Sequence, residues 1–396
     1  MKGPDLFDVM LRLHGAEYLG RNYVFVRLAR MQIAGHLDYS EISRILDGIT
    51  RKTEWFPKWM AAGDRHRSLA EAALAIGSGP SAGDAFLRAS MCSHWASLYA
   101  VGPDQTAAHR TSLEMYAAGS DHFEPPSRRV EIPFDGDAIP GYLRLPPGVE
   151  RPRVVLMIGG ADTNKEELHH WGTEFTRRGL AVLAFDGPGQ GELAGRYRRL
   201  TMRFDTFHQA VSAVLDHLEA EDRKLDLDGV GVFGNSLGGY LALDAGLRDT
   251  RVRAVICNGG FCDAASIDAW PEGVVRAFSS CLGLDNPAAV LAHVREHLDL
   301  TKVQGTNRPA ALVVHGGRED LSDTDEGRRA AAVAGGTLVV VEDGWHTCTN
   351  RDHLVSPLFG DWLAGALAGE APEGPRELTI SDDHGYAVVM GPTGVH

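Results

Sequence analysis

A short apolar run, Val230-Gly231-Val232-Phe233, passes directly into Gly234-Asn235-Ser236-Leu237-Gly238 and then into the helix-like stretch Leu241 to Leu247. A strand, a tight turn and a helix in that order leave few architectures open. Strands that alternate with helices bury both faces of a mostly parallel sheet. The turn also carries chemistry. A serine hydroxyl is a poor nucleophile unless it projects from a sharp bend towards a base, and flanking glycines let the backbone bend that tightly. The pattern alone is weak: with 46 glycines in 396 residues, Gly-x-Ser-x-Gly arises by accident about once in every three such chains. Its place between strand and helix carries the reading, against the alternative of a serine that merely caps a helix.

Two later strands each deliver a titratable side chain. Ala311-Leu312-Val313-Val314 runs into His315-Gly316-Gly317-Arg318-Glu319-Asp320, and Thr337 to Val341 ends in Glu342-Asp343-Gly344-Trp345-His346. In open α/β sheets the carboxyl ends of the strands are where sites assemble, so these loops can converge. The expected assignment is Ser236 as nucleophile, His346 as base and Asp320 as the acid, with Glu319, Asp323 and Asp325 competing for the last role. His346 would take the Ser236 proton during attack on a carbonyl and return it to the leaving group, while the acid holds the imidazole tautomer. The oxyanion needs two donors. One is the backbone N–H of Leu237; the other is expected from Gly159-Gly160-Ala161-Asp162, after the strand Val154 to Ile158, with Ala161 first and Gly160 next. Taken singly, Asp320 reads equally as a turn residue and His346 as one of 17 histidines. The chain order Ser, acid, His, each after a strand, outweighs those readings.

With these residues in place, the chain resembles a family. Gly159-Gly160-Ala161-Asp162-Thr163-Asn164-Lys165-Glu166-Glu167, Phe185-Asp186-Gly187-Pro188-Gly189-Gln190-Gly191-Glu192, the Ser236 turn and Gly344-Trp345-His346-Thr347-Cys348-Thr349-Asn350 are similar to the α/β-hydrolases of the bacterial dihydroxypseudooxynicotine hydrolase type. The fungal hydrolases that shorten polyketide chains look alike too, and FrsA-like esterases are more distant. By motif the likeness covers roughly residues 125 to 365. It implies an α/β-hydrolase fold with a mostly parallel central sheet and an N-terminal helical cap closing the substrate pocket. It also implies a serine triad acting through an acyl-enzyme on an ester, lactone or ketone carbonyl of a small aromatic or polyketide-like substrate, including carbon-carbon cleavage of aryl diketones. Relatives that cleave carbon-carbon bonds carry a further carboxylate between the nucleophile strand and the lid. Here Gly259 to Trp270 holds Asp263 and Asp268 and no glutamate, so these two are the auxiliary candidates, a capping Asp263 is the structural alternative, and the ester-like reaction is favoured. Acyl transfer or cyclisation, and a non-enzymatic ligand-binding protein on the same fold, are the remaining readings.

The pattern divides the chain into a helical N-terminal cap domain (1–124), a catalytic domain (125–368) with a lid-like helical insertion at about 263–302, and a C-terminal extension (369–396) containing the apolar run Ala387 to Met390. Helices are expected at Tyr23 to Gly35, Tyr39 to Thr50, Asp64 to Ile76, Ala82 to Leu98 and Thr106 to Ala118. Glu124-Pro125-Pro126-Ser127 marks the boundary. Strands are expected at Arg129 to Phe134, Gly141 to Leu145, Leu180 to Phe185 and Val252 to Cys257, besides those above. Trp55, Phe56 and Trp59 share a helical segment, as do His94, Trp95 and Tyr99; core packing is the default for both groups, and His94 and Tyr99 are candidates to line a pocket.

A net charge of −14 argues against nucleic acid or an anionic membrane as partner and fits a small neutral substrate. No apolar stretch approaches the length of a membrane span, and no leader pattern stands at the start, so a cytoplasmic location is expected, with homodimerisation left open. Five scattered cysteines, Cys92, Cys257, Cys262, Cys281 and Cys348, fit reduced thiols better than a disulfide framework. No cofactor and no metal are expected: His169 and His170 are adjacent, and adjacent helix positions point apart.

Overall fold

The computed structural model describes residues 6–22, 28–194, 200–221, 224–370, 376–381 and 385–387. The chain forms two units, Met1–Arg128 and Arg129–His396. In the first, α1 (Leu6–Asn22), α2 (Leu28–Gly35), α3 (Tyr39–Leu46), α4 (Trp55–Ala75), α5 (Gly79–Ser97) and α6 (Pro103–Gly119) follow one another. Helix α4 starts nine residues before the expected Asp64 because Pro57 falls in its first turn, where a missing N–H costs nothing. Residues 23–27, the start of the helix expected over Tyr23 to Gly35, lie outside the described residues.

Small residues let α4 and α5 approach: Ala62, Ala89 and Cys92 are fully buried, and a Cβ on Gly63 would stand 3.3 Å from the Ala89 carbonyl. Trp55 and Trp59 of α4 and Trp95 of α5 fill the space around that seam, with the Trp55 indole N–H donating to the Trp95 carbonyl at 2.7 Å. Ser90 then ties α5 to α6 through the Ser112 carbonyl at 2.8 Å.

The second unit carries one sheet of β1 (Ser127–Phe134), β2 (Asp137–Arg144), β3 (Arg153–Ile158), β4 (Ala181–Phe185), β5 (Asp226–Asn235), β6 (Val252–Asn258), β7 (Ala310–Gly316), β8 (Thr337–Val341), β9 (Glu377–Ser381) and β10 (Gly385–Ala387). Their order is β1-β2-β4-β3-β5-β6-β7-β8-β9-β10. β2 runs antiparallel to β4; every neighbouring pair from β4 to β9 is parallel. Between strands lie α7 (His169–Thr176), α8 (Phe207–Glu221), α9 (Leu237–Arg248), α10 (Glu272–Leu282), α11 (Pro287–His297), α12 (Thr324–Ala334) and α13 (Asp352–Ala368). Covered on both faces, Val154 to Ile158 of β3 are fully buried in an unbroken apolar run.

Register positions the site. Ile158 lies opposite Gly234, Asn235 opposite Asn258, Asn258 opposite Val314 and Gly316 opposite Val341. Five strands therefore end level, and the loops that follow them open along one edge. α10 and α11 occupy the interval between β6 and β7.

The C-terminal segment enters the sheet. β9 pairs with β8, Ile380 opposite Val341, and β10 pairs antiparallel with β9. The physical reason is that β8 would otherwise present an unpaired edge, and Glu377-Leu378-Thr379-Ile380-Ser381 supplies a strand with Ile380 buried. The part of the expected apolar run beyond Ala387 lies outside the described residues.

Candidate active site

Ser236 closes β5 with φ 55° and ψ −125°, a conformation that costs a non-glycine residue of order 1–3 kcal/mol and persists only where surroundings enforce it. They do so here. The Ser236 N–H donates to the Asn258 carbonyl at 2.8 Å and the Gly239 N–H to the Ser236 carbonyl at 2.8 Å. A Cβ on Gly234 would overlap the Gly238 carbonyl, and one on Gly238 would overlap the Ile158 carbonyl. The flanking glycines are therefore a steric requirement of the bend.

His346 leaves the end of β8 with its side chain 12% exposed, and its Nε2 stands 2.8 Å from Ser236 Oγ. Its Nδ1 lies 2.9 and 3.0 Å from the two carboxylate oxygens of Glu319. An ionised carboxylate only accepts, so Nδ1–H donates to it and Nε2 accepts from the serine hydroxyl. The expected acid, Asp320, is not the residue on His346. It is exposed, and its backbone N–H donates to Glu319 Oε1 at 3.0 Å. The turn decides this: Gly317 N–H donates to the Val341 carbonyl at 2.7 Å and Arg318 N–H to the Gly344 carbonyl at 2.9 Å. Stitched to the histidine loop in this way, the turn aims residue 319 inward and residue 320 out.

Burial by itself would raise the Glu319 carboxyl, but the His346 imidazole and the Leu321 N–H hold it below the ordinary glutamate range. Behind it, His315 is fully buried between the Gly316 carbonyl and Ser322 Oγ, at 2.9 and 3.0 Å. Burial lowers its pKa, which keeps it neutral. Asn258, which sequence reasoning did not single out, joins three loops. It accepts from Ser236, and its side-chain amide donates to Asn235 Oδ1 at 2.7 Å and to the Thr347 carbonyl at 2.9 Å. No local pattern marks it, since its role follows from strand register.

The glycine loop after β3 lies against the serine. A Cβ on Gly160 would stand 3.1 Å from Ser236 Cβ, so Gly160 adjoins Ser236. Leu237 opens α9, where the first N–H groups have no partner within the helix. Further along the same loop Lys165, fully buried, approaches Glu166 at 2.7 Å, Asp186 at 3.0 Å and Glu192 at 2.5 Å. Burial would lower its pKa, but the three carboxylates raise it. Against burial, Lys165 and Arg129 hold Glu192 down to about 2. Glu166, close to Lys165 but outside hydrogen-bonding geometry, is raised by its burial.

The other candidates are engaged elsewhere. Asp263 is bound by Arg329 at 3.1 and 3.2 Å and accepts the Ala265 N–H at 2.8 Å. Asp268, 83% exposed, pairs with Arg295. His94 is buried edge-on to Trp95, and Tyr99 stands edge-on to Trp55 with Lys52 over its ring. Phe261, Trp270 and Phe278 continue an aromatic series from His346, with centroid separations of 6.4, 5.1 and 4.7 Å. Among the described residues no group of three His, Cys, Asp or Glu side chains is disposed to hold a metal ion, and no helix is long and apolar enough to cross a membrane.

Known proteins share this architecture. The crystal structure of 2,6-dihydroxy-pseudo-oxynicotine hydrolase superposes with a TM-score of 0.80 at 27% identity, over 93% of this chain and 99% of that one. The chain has the α/β-hydrolase fold. Within this α/β-hydrolase, residues 150–304 match the model of the serine aminopeptidase S33 family. The 2,6-dihydropseudooxynicotine hydrolase of Paenarthrobacter nicotinovorans is 29% identical over 82% of the chain and 90% of its own length. The 20-hydroxy-prefusarin hydrolase of Gibberella moniliformis is 37% identical over 54% of each chain. AbyA5, at 20% identity and a TM-score of 0.65, shares the fold. The protein is thus a hydrolase of the α/β type.

Proposed function

We propose that the protein is a serine hydrolase working through an acyl-enzyme, with Ser236, His346 and Glu319 as nucleophile, base and acid. The observation that carries this reading is the unbroken relay from Ser236 Oγ to His346 Nε2, at 2.8 Å, and from Nδ1 to Glu319, at 2.9 Å. As Oγ attacks a carbonyl carbon, Nε2 accepts its proton, and the buried Glu319 carboxylate balances the imidazolium. The oxyanion is received by the N–H of Leu237 together with that of Ala161 or Gly160. Collapse expels the leaving oxygen, which takes the proton from Nε2. Water then attacks the acyl carbon, giving a proton to His346 Nε2, and the imidazolium returns that proton to Ser236 Oγ as the acid product leaves.

The substrate is a small organic ester or lactone. Two relatives are named for small molecules, 2,6-dihydropseudooxynicotine and 20-hydroxy-prefusarin. The peptidase model covers less than half of the chain, so the full-length relative is the better guide. An aromatic wall of Phe261, Trp270 and Phe278 running to His346 suits an aromatic or polyketide-like acyl group. Ester-type chemistry is preferred to carbon-carbon cleavage because Asp263 and Asp268 are each neutralised by an arginine, Arg329 and Arg295. A carbon leaving group needs a further proton donor; an alkoxide or phenolate does not.

A fluorophosphonate followed by intact-mass analysis and peptide mapping tests the reading. One adduct on Ser236, together with hydrolysis of a p-nitrophenyl ester lost in Ser236→Ala, is expected. Labelling elsewhere, or unchanged turnover in Ser236→Ala, overturns it.

A further inference from the structure

Resting on the serine-hydrolase reading above, we propose that Gln190 is a positioning residue that sets the oxyanion hole from behind. Its side chain is 1% exposed. The amide Nε2 donates to the Gly159 carbonyl at 2.6 Å and lies 3.4 Å from the Gly160 carbonyl. Its Oε1 accepts the Gly187 N–H at 3.3 Å. Two carbonyls on one side and an N–H on the other fix which way the amide is turned.

The consequence follows from peptide geometry. In a trans peptide the carbonyl of one residue and the N–H of the next point in opposite directions. Drawing the Gly159 and Gly160 carbonyls towards Gln190 therefore turns the N–H groups of Gly160 and Ala161 the other way. These belong to the loop that lies against the nucleophile, with a Gly160 Cβ 3.1 Å from Ser236 Cβ and 3.4 Å from the Asn235 carbonyl. Glycines have no side chain with which to hold a peptide plane; within the loop only the Thr163 N–H reaches the Gly160 carbonyl, at 3.4 Å, and the Gly159 carbonyl is held by Gln190 from outside it.

Gln190 is itself held. Its N–H donates to the Gly187 carbonyl at 2.9 Å. The Asp186 carboxylate receives the Lys165 N–H at 2.8 Å, Lys165 Nζ at 3.0 Å and the Glu192 N–H at 3.1 Å. Cys281 Sγ donates to the Ala161 carbonyl at 3.1 Å, a third clamp on the same loop. The segment Asp186 to Glu192 thus forms a rigid backing for the segment Gly159 to Lys165.

The test compares wild type with Gln190→Leu, Gln190→Glu and Ser236→Ala, by p-nitrophenyl ester kinetics, fluorophosphonate inactivation and thermal unfolding. Gln190→Glu keeps the shape and the acceptor for Gly187 and loses the donor, which covers the case in which Gln190→Leu fails to fold. Removing one oxyanion donor costs about 100 to 1000-fold, and releasing rather than deleting it is expected to lower kcat and the inactivation rate together by about 10 to 100-fold, with KM within about threefold. The ratio of Gln190→Glu to wild-type kcat is expected to rise as pH falls, because a protonated carboxyl regains a donor. Folded Gln190 variants with kcat and inactivation rate within about twofold of wild type, or a loss confined to thermal stability with a pH-independent ratio, overturn the inference. If Ser236→Ala retains turnover, or wild type neither labels nor turns over, the serine-hydrolase reading itself fails. If Ser236→Ala is dead and the Gln190 variants are not impaired, only the role of Gln190 falls.

Discussion

Glu319 sits where a charge is costly, its side chain 1% exposed, and stays ionised because an imidazole and two backbone N–H groups, from Asp320 and Leu321, meet its oxygens. Removing only the charge should therefore be severe. Glu319→Gln is expected to lower kcat by on the order of a thousandfold or more, since an amide can favour the wrong imidazole tautomer. Asp320→Asn should stay within a few-fold of wild type, because its side chain is exposed and its contact to Glu319 runs through the backbone. Steady-state kinetics of the two purified variants decides between neighbouring acids. The reverse result would restore Asp320.

At the scale of elements, glycine separates geometry from entropy. Gly238→Ala, in the first turn of α9, would force a Cβ into the Ile158 carbonyl, so activity should be lost and unfolding should come at markedly lower denaturant. Gly365→Ala on α13 meets nothing closer than 3.9 Å. It should stabilise by about 0.5–1 kcal/mol through helix propensity, read as a higher urea midpoint with kcat unchanged. A second element-scale prediction concerns α12. Its Glu326, fully buried, accepts the Cys262 N–H and the Ser266 hydroxyl, both at 3.2 Å, and so anchors the segment after β6. Burial, then the Asp263 charge, push its carboxyl from 4.5 to about 7, although Arg329 partly neutralises Asp263. Between those values the folded chain keeps a proton the unfolded chain has released, so stability falls as pH rises through the window and levels off above it. Glu326→Gln should remove that fall, worth on the order of 2–3 kcal/mol. Urea unfolding of both proteins at pH 5 and pH 8 measures it; an equal difference at the two pH values would contradict the sign.

For the whole molecule, burial decides thiol chemistry. All five cysteines are free and buried, and burial raises Cys257, Cys262 and Cys281 to about 12. Thiolate is the reactive form. Ellman's reagent should therefore react negligibly with native protein and titrate five thiols in guanidinium chloride; rapid native reaction at one site would show an exposed cysteine. The same contrast between local pattern and packing separates what was legible in the sequence from what was not. Unbroken apolar runs such as Val154 to Ile158 announce buried parallel strands, and the glycines around Ser236 announce the bend, because strand burial and backbone sterics are local properties. β9 was missed although Leu378 and Ile380 alternate, since only the open edge of β8 gives that short run a partner. The choice of Glu319 over Asp320 was out of reach for a related reason. Two adjacent carboxylates are equivalent as letters, and their side chains diverge only when the turn is stitched to Val341 and Gly344 across the sheet. Asn258 and Gln190 depend on register and on loops 30 or so residues apart. The chain by itself determined the buried central strands, the bend at Ser236 and the residue types able to react; tertiary contacts alone decided which carboxylate meets the histidine, because hydrogen-bond direction is set by the packed backbone and not by the side chain's identity.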